Sequence, residues 1–301
     1  MAVITSANHP AAQWPGIKAF WGRDYKEHKP EYTQCFDMDS SRQAYEEIVQ
    51  LTGFGYGAVK PEGSSVTYLE ETQGYTTRLT HTNYMLGYIV TEEEIDDNLY
   101  PVVAKRRTQA LSFSLKQTIE LVAANIYNRA FNSSYTGGDG LELCSTAHIN
   151  EAGTFSNELN PAADISEASL EDLCIQIMTT ENHKGLKINL TPKQLLIPPN
   201  LYFEAARILE SVLQNDTSNN AVNVLKSHGV IPEVVVNHYF TDTDSYFIRT
   251  DCPSGMIGFN RKTTDLMVDG DFDTGNVKHK AGERKSFGWG DPRGVFGSAG
   301  A

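Results

Sequence analysis

Several marks of familiar chemistry are missing from this sequence of 301 residues. Cysteine is scarce: Cys35, Cys144, Cys174 and Cys252 lie far apart and form no C-x-x-C pair, which argues against a zinc ribbon or a redox dithiol. In a chain long enough to bury its own core, they read as free, partly buried thiols of a reducing compartment. Cations are in deficit, with 25 Lys and Arg against 38 Asp and Glu, a net charge of −13. A surface that grips nucleic-acid phosphates needs the opposite balance. Apolar runs are short, and those at 84–90 and 234–236 fall far below the ~20 residues of a bilayer-spanning helix. Met1-Ala-Val-Ile-Thr-Ser has neither the basic start nor the apolar stretch of an export signal, so a soluble, non-exported chain is expected. The nucleotide loop Gly-x-x-x-x-Gly-Lys-Ser/Thr, the hydrolase elbow Gly-x-Ser-x-Gly and the zinc helix His-Glu-x-x-His do not occur. No repeat of 20–50 residues is present.

What remains is an ordered succession of unlike segments. Residues 1–50 are loosely patterned and rich in rings (Trp14, Phe20, Trp21, Tyr25, Tyr32), which suits an arm that buries them against another surface. A short helix is expected at 40–51. Gly53-Phe-Gly-Tyr-Gly opens a Thr-, Tyr- and Val-rich stretch in which Ser65-Val-Thr-Tyr-Leu and residues 75–90 read as the strands of a long antiparallel hairpin. Such a two-stranded ribbon has no core of its own and needs a partner. A long helix is predicted over 101–132, with Pro101 in its first turn and Leu111, Leu115, Ile119, Val122, Ile126 and Ala130 on one face. Further on, a helix follows the cap candidates Asp164 and Ser166, and a strand at 194–197 stops at Pro198-Pro199. Asn200 is placed to cap another helix, and residues 233–240 and 246–250 suggest a hairpin around Thr241-Asp-Thr-Asp-Ser. Separated helical and strand regions make this an α+β pattern.

Candidate chemistry is thin. His238, Asp242 and Asp244 form the densest group of metal-ligand types, although Asp in a turn caps its own backbone for structural reasons. A metal-dependent hydrolase built on these three residues is the enzymatic alternative. Cys144-x-x-x-His148 lacks a second pair to complete a tetrahedral site. Lys105-Arg-Arg107 points around its helix, as a solvated or ion-paired surface or as a contact with Glu92–Glu94 of another copy. Arg284, Lys285 and Arg293 around Trp289 suit strand packing or subunit contacts better than nucleic acid in so acidic a chain. No cofactor is expected.

The order of segments resembles the major capsid proteins of tailed bacteriophages, the Hong Kong 97-type fold, and is most similar to the Mu-like major head subunits. The resemblance is carried by Gly53-Phe-Gly-Tyr-Gly with Pro61-Glu-Gly, by Leu86-Gly-Tyr-Ile-Val-Thr-Glu-Glu, and by Glu120-Leu-Val-Ala-Ala-Asn-Ile-Tyr-Asn-Arg-Ala-Phe131. It continues in Asp139-Gly-Leu-Glu-Leu-Cys-Ser-Thr-Ala-His148, Thr191-Pro-Lys-Gln-Leu-Leu-Ile-Pro-Pro199 and the run from Gly275 to Trp289. It implies an N-terminal arm at 1–52, an extended β-hairpin loop at 53–91 lying over a neighbour, and a peripheral domain with a spine helix at 92–165. An axial domain at 166–254 and return strands at 255–301 complete that plan. Implied inter-subunit contacts are Trp14, Trp21, Lys60, Glu62, Glu70, Glu71, Arg78, Lys105, Arg106 and Arg107. Implied partners are further copies of the chain in hexamers and pentamers, a portal, possible decoration proteins and enclosed double-stranded DNA, with no membrane. The arm-like sequence begins close to Met1 without a charged helical prefix, which suggests a separate scaffolding protein. The expected setting is the virion, assembled in the host cytoplasm. Another phage structural part, a decoration or tail protein, stays open beside the head subunit.

Overall fold

The computed structural model describes residues 29–96, 100–214 and 221–301, with side chains described outside 100–106. Its longest element is helix α3, Tyr100–Asn128. It follows helix α1 (Tyr32–Cys35), strands β1 (Asp37–Ser40), β2 (Tyr45–Leu51), β3 (Gln73–Thr80) and β4 (Thr82–Val90), and helix α2 (Glu92–Asp96). At 29 residues and 1.5 Å per residue, α3 is about 43 Å long. Leu111, Leu115, Ile119, Ala123 and Tyr127 recur at steps of four and are buried, with Val122 and Ile126 half-buried at the flank. This face lies on the sheet β1-β10-β11-β4, whose long members are β10 (Met256–Gly270) and β11 (Val277–Trp289).

A second sheet, ordered β12-β9-β7-β8, comprises β7 (Pro192–Ile197), β8 (Val234–Val236), β9 (Tyr246–Thr250) and β12 (Val295–Ser298). Every residue of β9 and β12 is buried, as expected for strands covered on both faces. Helix α4 (Glu167–Thr179) packs Leu170, Leu173, Cys174 and Ile177 there, and α5 (Tyr202–Glu210) adds Ala205 and Ile208. Ser166 and Ser169 form a reciprocal cap on α4, at 3.1 and 2.9 Å. Helix α6 (Val224–Ser227) precedes β8, and the small hairpin of β5 (His148–Asn150) and β6 (Gly153–Phe155) follows α3. This mixed architecture is the α+β one that the pattern of segments predicts.

Five local expectations need correction. Residues 40–51 contain strand β2 and no helix, because Ile48-Val49 suit a pleated surface and β3 supplies the partner, from Tyr45↔Thr80 to Leu51↔Gln73. Residues 65–69 form no strand, so the partner of β3 is β2. The expected single strand at 75–90 changes sheets at His81, which is buried between Ser286 Oγ (2.9 Å) and Ser41 Oγ (3.0 Å). On one side of it β3 pairs with β2; on the other β4 pairs with β11. Finally, β8 and β9 make no hairpin. β8 runs parallel to β7 after a helical crossover, and β9 lies antiparallel to β7 on its other side. Asn200 does not cap α5 either, since Leu201 holds that position without a side-chain bond.

Candidate inter-subunit surface

From residue 56 to residue 73 every side chain is exposed, and 64–72 adopt no regular structure. The exposed residues include Tyr56, Val66 and Leu69, with Val59 at 94% and Tyr68 at 90% of full exposure. So many large apolar groups on one projection mark an interaction surface. The loop is closed at its base by Thr52 and Thr72. The Thr52 amide donates to the Thr72 carbonyl (3.0 Å), and the Thr72 amide donates to Thr52 Oγ1 (3.1 Å). Thr72 Oγ1 also donates to Glu151 Oε1 at 2.8 Å, and Glu151 pairs with Lys184. The Lys184 bond first, and then that of Thr72, hold the Glu151 carboxyl below its usual range. The β2–β3 ribbon below the loop rests on the body. The end of the Leu79 side chain lies where a side chain at position 288 would stand, so a larger residue there must displace it. Thr77 and Tyr75 also crowd Gly138, with Tyr75 Cδ2 2.8 Å from the place of a β-carbon.

A second set of contacts fixes the start of the described chain. Glu120, on the buried side of α3, accepts the amides of Glu31 (2.9 Å) and Tyr32 (3.0 Å) through its two oxygens. Burial raises its pKa, and those two hydrogen bonds oppose the rise. Lys285 Nζ donates to Tyr32 Oη at 2.8 Å and pairs with Glu283 at 2.9 Å, with both charged groups buried. Arg249 pairs with Asp37 at 2.5 Å and donates to the Gln34 carbonyl at 3.1 Å. Charge-assisted bonds of this kind hold residues 31–37 to the body.

Of the residues expected at contacts, Lys60, Glu62, Glu70 and Glu71 are exposed on the loop. Arg78 lies across the ribbon, its Nη2 2.6 Å from Glu47 and its guanidinium 4.3 Å from the centre of the Tyr45 ring. Arg107 pairs with Glu94 of the same chain at 2.8 Å, so this ion pair needs no second copy. Trp14 and Trp21 lie outside the described residues, as do the side chains of Lys105 and Arg106.

The metal-type cluster is not assembled. His238 Nδ1 faces Glu31 Oε1 at 2.8 Å, and Asp242 Oδ1 accepts the Asp244 amide at 3.2 Å, the turn role. Among the described residues no three His, Cys, Asp or Glu side chains converge to hold a metal. All four cysteines are buried and free, and burial pushes Cys35 up to about 12 and Cys144 well above its usual range. His148 turns to Asp139 at 2.6 Å and away from any shared site with Cys144. The basic residues near Trp289 are structural: Arg293 bonds Asp291, Asn150 and the Glu181 carbonyl, and Arg284 donates to the His81 carbonyl. Sequence reasoning missed Glu120, His81 and Asn157. The buried Asn157 side chain lies 2.8–2.9 Å from the carbonyls of Leu143, Pro292 and Val295. Their partners are 14 to 205 positions away, beyond any local pattern.

The profile of a family described as phage capsid protein matches residues 75–297, which includes α3 and nearly all of both large sheets. No curated protein matches the sequence significantly. Among solved structures the chain is similar to the capsid of Myoviridae phage XM1, at 13% identity and a TM-score of 0.51, covering 88% of this chain and 89% of that one. Mycobacterium phage Che8 aligns at 14% identity and 0.52, over 89% and 90% of the two chains. The capsid of an empty GTA particle aligns at 12% and 0.54, over 88% of each. At such identities the likeness is one of fold, and the fold is the Hong Kong 97 type.

Proposed function

The chain belongs to the phage capsid protein family, and from that premise we propose that it is the major head subunit, tiling an icosahedral shell around double-stranded DNA as hexamers and pentamers. It is a structural protein, and its task needs stable contacts rather than turnover. The observation that carries this reading is the exposed, apolar loop at 52–72, clasped at its base and seated on the body through β2 and β3. A surface of that kind is complete only against another subunit.

In this reading the loop and ribbon form the extended arm that overlies a neighbour, with Lys60, Glu62, Glu70, Glu71 and Arg78 among its contacts. The sheet carrying α3 is the peripheral domain, and the sheet β12-β9-β7-β8 with α4 and α5 is the axial domain. Residues 1–52, with Trp14 and Trp21, are the N-terminal arm, held to the body at residues 31 and 32 by Glu120 and Lys285 and ending in β2 of the ribbon. A separate scaffolding protein and a portal are the expected partners, the host cytoplasm the site of assembly and the virion the destination. The net charge of −13 suits a wall that confines DNA without adhering to it. Electron microscopy of the purified chain, co-expressed with a scaffold, tests the proposal. Shells or capsomer rings are expected; a strict monomer under every such condition overturns it, and tubes or tail-like particles assign the chain to another phage part.

A further inference from the structure

The two edges of the sheet β1-β10-β11-β4 are unlike. At one edge, β1 is four residues long, carries Asp37 and Asp39, and is exposed throughout. Shortness and charge are the usual ways of blunting an edge against strand addition. At the other edge, β4 has nine residues, Thr-Asn-Tyr-Met-Leu-Gly-Tyr-Ile-Val, with no charge and no proline. Its pairing with β11 runs unbroken from Val277↔Val90 to Lys285↔Thr82, without a bulge. Met85, Leu86 and Ile89 are exposed on it. Among the described residues no backbone bond is made to its outer side. This edge is an unguarded template.

The same chain holds a segment of strand-forming residues that is not paired. Ser65-Val-Thr-Tyr-Leu69 contains the β-branched Val66 and Thr67 and the aromatic Tyr68, types that favour strands, yet it is unpaired and exposed. We propose that residues 65–69 of one copy add as a fifth strand to the outer edge of β4 in a second copy. The two segments match in character, since both are uncharged. Glu70 and Glu71 follow the first, and exposed Lys280 stands opposite Gly87 beside the second. Gly87 has no side chain to keep Lys280 from leaning over the edge.

A chain cannot satisfy its own edge in this way. Leu69 is tethered within about 10 Å of Thr72, at ~3.4 Å per residue. The eight residues of β3 place the start of β4 about 26 Å beyond Thr72. β11 also runs on past Thr82 to bring Gly288 against Leu79, so β3 continues the line of β4 and does not fold back on it. The added strand must come from a neighbour.

The inference rests on the shell reading but has its own test. Hydrogen–deuterium exchange is measured on the full chain, unassembled and in shells. Assembly is expected to slow exchange tenfold or more at both 65–69 and 82–90. Thr67→Pro removes an amide from the added strand and should abolish that protection while leaving the melting temperature unchanged, because 65–69 are exposed and unpaired. A peptide of residues 62–71, added to the unassembled chain, should slow exchange at 82–90. Shells in which either segment exchanges at its unassembled rate overturn the inference, as does full protection of 82–90 in Thr67→Pro shells. If the wild-type chain forms no shells, the head-subunit reading fails, and the peptide still decides this one: no protection at millimolar peptide overturns it.

Discussion

Replacing residues 54–70 by a four-residue Gly-Ser linker separates the stability of the body from its capacity to assemble. The variant keeps Gly53, the Thr52–Thr72 clasp and all of β2 and β3. No buried side chain is removed, because residues 56–73 are exposed throughout and Phe54 is largely so. The hydrophobic term lost from the folded state is therefore close to zero. Shortening the loop closed by the Thr52–Thr72 clasp about threefold lowers its closure entropy by ~1 kcal/mol in favour of the folded state. For a domain of this size that is a rise of about 2–4 °C in melting temperature. Circular dichroism melts report the body, and electron microscopy with co-expressed scaffold reports assembly. A soluble chain, unchanged or slightly more stable and unable to close shells, is expected. Normal shells from the shortened chain refute the assignment of the loop to subunit contacts. A fall of ~10 °C refutes the claim that it contributes nothing to the body.

Three further outcomes are expected. Lys285→Met removes the cation that pairs with the buried Glu283 and should cost about 3–5 kcal/mol in chemical denaturation, much of it regained when Glu283→Leu is added; equal costs in the single and double variants would falsify the pairing. Burial lowers the pKa of His279 to about 4 and shifts His81 and His183 the same way, so the unfolded chain binds more protons between about pH 4 and 6.5. Stability should then fall as pH drops through that window, by roughly 2 kcal/mol for His279 after allowing for solvent screening, with a shallower slope in His279→Phe; a slope unchanged by the substitution refutes this. Ile119→Pro breaks α3 at the centre of its buried face and should cost ~3 kcal/mol or more, giving insoluble protein; a soluble variant with native helix content counts against that packing.

Much of the helical part was legible because it is local. The period of Leu111, Leu115 and Ile119 marks a buried face without reference to what covers it, and Ser166 is itself a cap. Strands were less legible, since a strand is defined by its partner. Residues 65–69 have every strand propensity and no partner in the monomer; residues 45–51 look helical in isolation and are paired. Val234–Val236 and Tyr246–Thr250 flank a turn, yet both lie beside β7, which buries more apolar surface than a free hairpin could. Of the candidate surface, the exposed charges of the loop were readable, whereas the pairing of Arg107 with Glu94 was not tied to a single copy.

By itself, the sequence determined the absence of cofactor motifs, the acidic balance, the long helix and the order of segments that identifies the family. These depend on residue type and short spacing alone. Tertiary structure decided which strands pair, where the chain changes sheets at His81, and how Glu120 and Lys285 anchor the segment at 31–32. Those contacts join residues from 88 to 253 positions apart. Their energy comes from desolvated hydrogen bonds and charges that exist only once the two sheets have formed.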